Sequence, residues 1–403
     1  MKYEVVVVGA GPAGSTAAKF LSEKGVKVLL LDKQKFPRDK PCAGGLPIRT
    51  LERFKFIQDD WIESYSYGAC GYSSSLKYKL ELRRDEPLIA MVLRKKFDHE
   101  LVKLAINCGT SFMDGVSAKD IKILDNKAKI LLENGNNIES EMVIGADGVW
   151  STIAKKSGLC KNKKDICMCL FEEYPLSCKT LDNFLDEKRY CHIHINVNKT
   201  AGYGWVFPKK EHVNIGITEF KQTLVPARRR KNLKDTFETY IKILQENKII
   251  PDNLKIGRIR GAALPTCPSE KTYSDRVILC GDAAGLANPI SGEGIYYAMS
   301  SGEIAAEVIT EALDKNNTTE KFLSRYQKIW NNDFGRDLKI LYRTSKFWSR
   351  NNEKLVRIIS KDRKLSELVL DLITGQRDIR KCMGKIIKRG LYLNLKDKVI
   401  KNY

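Results

Sequence analysis

The sequence predicts an α/β protein: a dinucleotide-binding, Rossmann-like domain carrying an inserted antiparallel-sheet substrate domain and followed by a C-terminal helical tail. Three observations predict it. A β-branched run from Tyr3 to Val8 leads into Gly9-Ala10-Gly11-Pro12-Ala13-Gly14, then a helical stretch to about Lys24 and a second apolar run, Val26 to Leu31, ending at Asp32. Stretches such as "CHIHINV", "GYGWVFP" and "HVNIGITEF" instead alternate apolar and polar residues, the period of a strand with two unlike faces. From about Lys315 the chain is basic, poor in glycine and helical in pattern. These signals assign 1–60, 91–160 and 266–314 to a discontinuous nucleotide domain, 61–90 and 161–265 to the inserted sheet, and 315–403 to the helical region.

The opening run reads as a βαβ unit whose three glycines have separate jobs. Gly9 allows the tight turn, Gly11 lets backbone approach a pyrophosphate, and Gly14 lets the helix pack close to the strand. The helix N-terminus, with Ala13 in its first turn, offers N–H groups and a partial positive charge to phosphates. Asp32, followed by Lys33, stands where a carboxylate accepts from ribose hydroxyls. Two later stretches bear on which dinucleotide binds. "MVIGADGVWS" places Asp147 in a glycine-rich turn, and "DRVILCGDAAGLANPISGEGIYYAM" places Asp282 at the end of a strand, facing the ligand crevice of an α/β sheet. The loop Asn288 to Gly294, with Gly292, Gly294 and Ile295 at a helix start, suits a ring that becomes anionic on reduction. Nicotinamide becomes neutral on reduction, whereas a flavin does not. FAD is therefore the expected cofactor.

Composition narrows the partners. The 403 residues carry a formal net charge of +21, with 43% hydrophobic and 30% charged residues, which fits a folded globular chain. No apolar run approaches the roughly 18 residues that span a bilayer, so any membrane contact is expected to be peripheral. A field of this sign attracts polyphosphates, an anionic membrane surface or an acidic electron carrier, unless it only solvates the surface. Aromatic and basic residues do not interleave as RNA-binding motifs require, so no nucleic acid partner is expected. Eleven scattered cysteines point to a reducing cytoplasm. Cys160, Cys167, Cys169 and Cys178, with Cys191, His192 and His194, match no standard ligand spacing, and no metal is expected.

Three further stretches carry a family resemblance. "FPRDKPCAGGLP" holds Arg38, Lys40 and Cys42 before a glycine-rich turn; "GYGWVFP" holds Tyr203, Trp205, Phe207 and Pro208; and "GAALP" precedes the late Gly-Asp stretch. In this order they resemble the geranylgeranyl reductase family, flavoenzymes built on the aromatic-hydroxylase scaffold that saturate prenyl double bonds of lipids, chlorophyll side chains or quinones. The resemblance implies that Gly9, Gly11, Gly14, Asp32, Arg94 and Asp282 hold FAD. It implies that Cys42, Ala43, Gly44 and Gly45 lie by the flavin, with Gly45, Tyr203, Trp205, Phe207 and Pro208 on the prenyl side. Two positions depart from the pattern: Thr200 stands where the longer archaeal-lipid signature begins with proline, and Asp32 replaces the commoner glutamate.

The implied reaction is demanding, because no carbonyl polarises an isolated alkene. Flavin N5 delivers hydride only as a proton arrives at the other carbon, so the site should be apolar and water-poor with one proton donor. Tyr203, Trp205 and Phe207 alternate and so share a strand face; they read as sheet core or, with the resemblance, as a tunnel wall. Cys42 and Tyr203 are the catalytic candidates. The basic neighbours Arg38 and Lys40 argue that Cys42 acts by proximity, with Tyr203 or water as the acid. Arg38 is either a surface charge or a phosphate contact. A flavin-dependent monooxygenase or halogenase on the same scaffold is the competing enzyme reading, and a non-catalytic flavin-binding membrane-surface protein the third. The basic tail "CMGKIIKRGLYLNLKDKVIKNY" reads as a solvated terminal helix or a face for an anionic membrane.

Overall fold

A computed structural model describes residues 3–159, 166–220, 232–350 and 352–401, and divides the chain into two compact units. The first comprises Met1–Lys40, Arg94–Ile166 and Leu264–Tyr342; the second comprises Pro41–Leu93, Cys167–Ala263 and Arg343–Tyr403. Residues 315–403, expected as one helical region, thus contribute to both. Cys160 lies outside the described residues.

The first unit is built on five parallel strands in the order Val277–Leu279, Asn137–Gly145, Tyr3–Val8, Val28–Asp32 and Ser111–Asp114. The short antiparallel strand Tyr273–Ser274 lies at one edge, and the pair Ala118–Ile123 and Ala128–Leu132 extends from Asn137–Gly145. A strand buried on both faces needs an unbroken apolar run, and Val5, Val6 and Val7 supply it between Leu29–Leu31 and Val143–Ile144. The crossover is the helix Pro12–Glu23. Proline at its start costs no hydrogen bond, because the first N–H groups of a helix have no partner within it. The long helix Ile295–Asp314 packs against it so closely that a Cβ on Gly302 would stand 2.3 Å from the carbonyl oxygen of Ala13.

The second unit contains a seven-stranded sheet in the order Arg260–Pro265, Ile166–Pro175, His212–Phe220, Gly202–Pro208, Cys191–Ile195, Gly68–Tyr72 and Lys79–Arg83. The expected alternation is present, with two corrections. Cys191–Ile195 pairs with Gly68–Tyr72 in parallel, because the two strands come from separate insertions rather than from a hairpin. The region read as strands also contains the helices Cys178–Leu185 and Leu233–Glu246. The second of these covers one sheet face: Phe237, Tyr240, Ile241 and Leu244 close over Val206, Val213, Ile215 and Ile217. A three-stranded sheet joins Gly45–Pro47, Ile89–Met91 and Ser64–Ser66. The terminal helices reach the Lys79–Arg83 edge, where Leu370 packs with Leu82 and Leu88, and Arg84 pairs with Asp371 at 2.6 Å.

His192 and His194 point to the helix-covered face. Tyr72 stacks on His194 at a centroid distance of 4.2 Å and reaches Nδ1 of His192 at 3.1 Å, while the Tyr240 hydroxyl lies 2.9 Å from Nδ1 of His194. Burial holds both rings neutral, lowering their pKa values to about 4 and about 3. The unfolded chain takes up these protons near the ordinary value of 6.5, so the contribution of these two histidines to stability is constant above about pH 7 and falls as pH drops toward 4. Each histidine contributes a slope of up to about 1.4 kcal/mol per pH unit. Thermal melts should show a midpoint falling below pH 6, and the double variant His192→Asn, His194→Asn should flatten that fall.

Candidate functional site

In the first unit the predicted cofactor-binding residues gather at the opening turn of the parallel sheet. Gly9 has φ +103°, and a Cβ there would stand 2.3 Å from the carbonyl oxygen of Ala146. A Cβ on Gly14 would stand 1.9 Å from the carbonyl oxygen of Gly9, so the helix meets the strand with no room for a side chain. The Asp32 carboxylate accepts from Ala10 N–H at 2.8 Å and Gln34 N–H at 2.9 Å, which fixes it at the strand end with lone pairs remaining.

Arg38 is only 8% exposed, so it is not a surface charge. Its Nη2 lies 3.7 Å from where a Cβ on Gly11 would be, above the start of the helix. Its Nη1 stands 2.9 Å from Asp98 Oδ2, close enough for an ion pair but without a hydrogen bond's alignment. Asp98 itself is fully buried and also takes a bidentate grip from Arg94, at 2.7 Å and 2.8 Å. Lys40 completes the cluster. Burial lowers its pKa, Asp282 opposes that, and Arg94 and Arg38 add to it. Bare backbone, an N-terminus lacking a side-chain cap and three enclosed cations fit a dinucleotide pyrophosphate.

Asp282 opens the turn after Val277–Leu279, and its Oδ1 lies 3.7 Å from the Cβ position of Gly294 at the start of the Ile295–Asp314 helix. Gly292 has φ +71°, and the loop around it is tied by Asn288 Oδ1, which accepts from Ile290 N–H and Ser291 N–H. Ala13 packs against Gly281 and Gly302, and Lys33 is exposed. Asp147, expected among the cofactor-binding residues, is engaged at a helix start. It accepts from Thr152 N–H at 2.7 Å, Ile153 N–H at 3.1 Å and the Ser151 hydroxyl, so both oxygens serve the start of the Thr152–Lys156 helix. Burial raises its pKa against those hydrogen bonds.

The remaining predicted residues lie in the second unit. Gly44 has φ +79°, and a Cβ there would stand 2.1 Å from the carbonyl oxygen of Val92. A Cβ on Gly45 would meet the Phe207 ring at 3.0 Å, so the turn is bare because an aromatic ring lies on it. The Cys42 sulfur accepts from Gly44 N–H at 3.4 Å, with Ala43 between them half-buried. Tyr203, Trp205 and Phe207 share the sheet face opposite the Leu233–Glu246 helix. The indole of Trp205 fits over Gly216, whose Cβ would stand 2.1 Å from the ring. Pro208, which ends the strand, gives its carbonyl to the Ser64 hydroxyl at 2.9 Å. Burial raises the Tyr203 pKa well above the ordinary value, with the thiols of Cys169, Cys167 and Cys42 adding to it, so the phenol keeps its proton. Thr200 lies 3.4 Å from Thr236 on the covered side, away from the aromatic face.

Sequence reading missed Asp98, Glu173, Lys209 and Asn214. The last three form a buried polar group at the Phe207 end of the aromatic face. Their partners are far apart in sequence, so no local pattern announces them.

The Rossmann-type cradle of the first unit is that of a FAD-dependent oxidoreductase. The FAD binding domain family matches residues 2–329. The chain belongs, within that class, to the digeranylgeranylglycerophospholipid reductase family. It is 31% identical to digeranylgeranylglycerophospholipid reductase 2 of Methanopyrus kandleri, over 96% of this chain and 97% of that one. It is 32% identical to the digeranylgeranylglycerophospholipid reductase of Methanocaldococcus jannaschii, over 81% and 82%. Among solved structures, a geranylgeranyl bacteriochlorophyll reductase-like protein of Thermoplasma acidophilum matches with a TM-score of 0.79 and 27% identity, covering 90% of this chain and 92% of that one. The flavin-dependent brominase Bmp2, at 20% identity and a TM-score of 0.69, shares the fold.

Proposed function

We propose that this protein saturates the isolated double bonds of geranylgeranyl chains carried on a glycerophospholipid, and that Cys42 and Tyr203 act at the reacting bond. The observation that carries the reading is the Tyr203, Trp205 and Phe207 face, with the bare Gly44-Gly45 turn laid against Phe207. FAD, when bound and reduced, supplies the hydride. The chain's own residues do the rest. Arg38 and the start of the Pro12–Glu23 helix bind the pyrophosphate, Asp32 the ribose, and Asp282 with Gly292 and Gly294 the part nearer the ring. The aromatic side chains exclude water and hold the prenyl chain, which has no polar group of its own to be gripped. Tyr203 keeps its phenol proton and is placed to give it to one alkene carbon, so that positive charge develops on the more substituted carbon that accepts the hydride. Cys42 touches the substrate rather than acting as the acid. Because Thr200 faces away from this side, its difference from the archaeal-lipid signature does not touch the prenyl contact.

The partners follow from charge and solubility. No described helix is long and apolar enough to cross a membrane. The substrate nevertheless resides in one, and the net charge of +21 favours an anionic surface and an acidic electron carrier such as a ferredoxin. On the terminal helix Ile379–Lys401, exposed Ile387, Leu391 and Tyr392 lie among Lys385 and Lys388.

One anaerobic experiment tests the reading. The FAD-loaded protein is reduced with dithionite or a reduced ferredoxin, then offered digeranylgeranylglycerophospholipid, a prenylated quinone or a geranylgeranylated chlorophyll precursor in anionic and in zwitterionic vesicles. The expected result is flavin reoxidation with a gain of two hydrogens per bond in the phospholipid, faster on anionic vesicles. Inertness toward every prenyl chain, with oxygen or halogen insertion into an aromatic substrate in air, would reject it.

A further inference from the structure

Asn214 is fully buried and stands opposite Phe207 on one neighbouring strand and Glu173 on the other, on the aromatic side of the sheet. Its amide makes three contacts. Oδ1 accepts from Trp205 Nε1–H at 2.6 Å; Nδ2 donates to Glu173 Oε1 at 2.8 Å and to the Cys42 carbonyl at 3.3 Å. The amide orientation is fixed by chemistry, since an indole nitrogen only donates and a carboxylate and a carbonyl only accept. Glu173 also pairs with Lys209, whose side chain is 1% exposed and whose Nζ lies 3.4 Å from the Cβ position of Gly44. Glu173 Oε2 is buried with no hydrogen-bond partner. A buried ion pair adds little net stability over apolar residues of the same size, whereas it fixes geometry well.

We propose that Asn214, anchored by the Glu173 and Lys209 pair, is a positioning residue that holds the Cys42 carbonyl and the Trp205 indole in one register, and thereby sets which double bond of the prenyl chain is presented for reduction. The clamp stands on geometry alone; its effect on bond choice rests on the reductase reading above. Rotation of the Trp205 ring and displacement of Cys42 are coupled, because both are tied to the same planar amide.

The test uses the full FAD-loaded chain and two variants. Asn214→Leu removes the clamp, and Trp205→Phe removes the N–H that grips it together with part of the ring over Gly216. Peptide-resolved mass spectrometry follows alkylation of Cys42 by iodoacetamide, and product mass follows how many bonds of the lipid, and which, are reduced. Loss of the Asn214 hydrogen bond to the Cys42 carbonyl should raise alkylation of Cys42 about tenfold, the equivalent of about 1.4 kcal/mol. Trp205→Phe should raise it in the same direction, with the double variant less than additive. FAD content and the rate of flavin reduction by dithionite should stay as in the wild type, and partially saturated products should change in pattern. Because Trp205→Phe keeps an aromatic ring and leaves Asn214 in place, it reads the coupling even if Asn214→Leu does not fold. Unchanged Cys42 alkylation in Trp205→Phe would overturn the clamp. Faster alkylation with an unchanged product pattern would overturn its role in bond choice. A wild-type protein inert toward all prenyl lipids would overturn the reductase reading and bond choice together, while the alkylation arm would still show the clamp.

Discussion

Gly14→Ala is expected to yield colourless protein. The added Cβ would stand 1.9 Å from the carbonyl oxygen of Gly9 and 3.1 Å from Val7 Cγ1, neither of which can yield without moving the first strand or the helix. Overpacking against backbone costs about 3 kcal/mol or more, a large share of a typical total stability. The helix start that faces the phosphates would shift with it. Gly11→Ala is the matched control. Gly11 has φ −76°, which any residue adopts, and its Cβ would meet only Arg38 Nη2 at 3.7 Å. That variant should fold within about 1 kcal/mol of the wild type but bind FAD at least about tenfold more weakly. The ratio of flavin to protein absorbance, with urea unfolding alongside, separates the two effects. Equal FAD loss and equal stability in both variants would contradict this account.

Asp98→Ala should be nearly as damaging, for an electrostatic reason. Asp98 is the shared counter-charge of Arg94 and Arg38, both largely enclosed. Removing one partner from a buried charged cluster costs about 3–5 kcal/mol, because the remaining charges stay buried without compensation. FAD affinity should fall as well, since Arg38 would no longer be aimed over Gly11. Asp98→Asn, which keeps the shape and can still accept a hydrogen bond, should recover part of the stability and less of the affinity. Chemical denaturation and FAD titration measure both. Wild-type stability in Asp98→Ala would show that the guanidinium groups find water in the folded state.

The contrast between these sites shows what the amino-acid order could and could not reveal. Gly9, Gly11, Gly14 and Asp32 were legible because a βαβ turn imposes fixed spacing on residues near each other in the chain. Tyr203, Trp205 and Phe207 were legible as one face because strand side chains alternate. Asp98 was hidden inside "LRKKFDHEL", where an Asp four residues after an Arg looks like an ordinary helix-surface pair; only folding brings Arg38 to it. Asp147 sat in a plausible ligand turn, and its use in capping the next helix depends on dihedral angles that the motif does not encode. The Leu233–Glu246 helix was masked by the strand-like alternation around it. Glu173, Lys209 and Asn214 came from three separate stretches, and nothing local marked them as neighbours.

The parallel pairing of Gly68–Tyr72 with Cys191–Ile195 bears on biosynthesis. Ala69 meets Cys191, so the earlier strand leaves the ribosome about 120 residues before its partner. At typical translation speeds that is a wait of roughly 6 to 24 seconds, during which the nascent hairpin with Lys79–Arg83 presents an unpaired edge. Both the rate at which ribosomes traverse the intervening stretch and the supply of chaperones that shield open edges should therefore govern the yield of native protein.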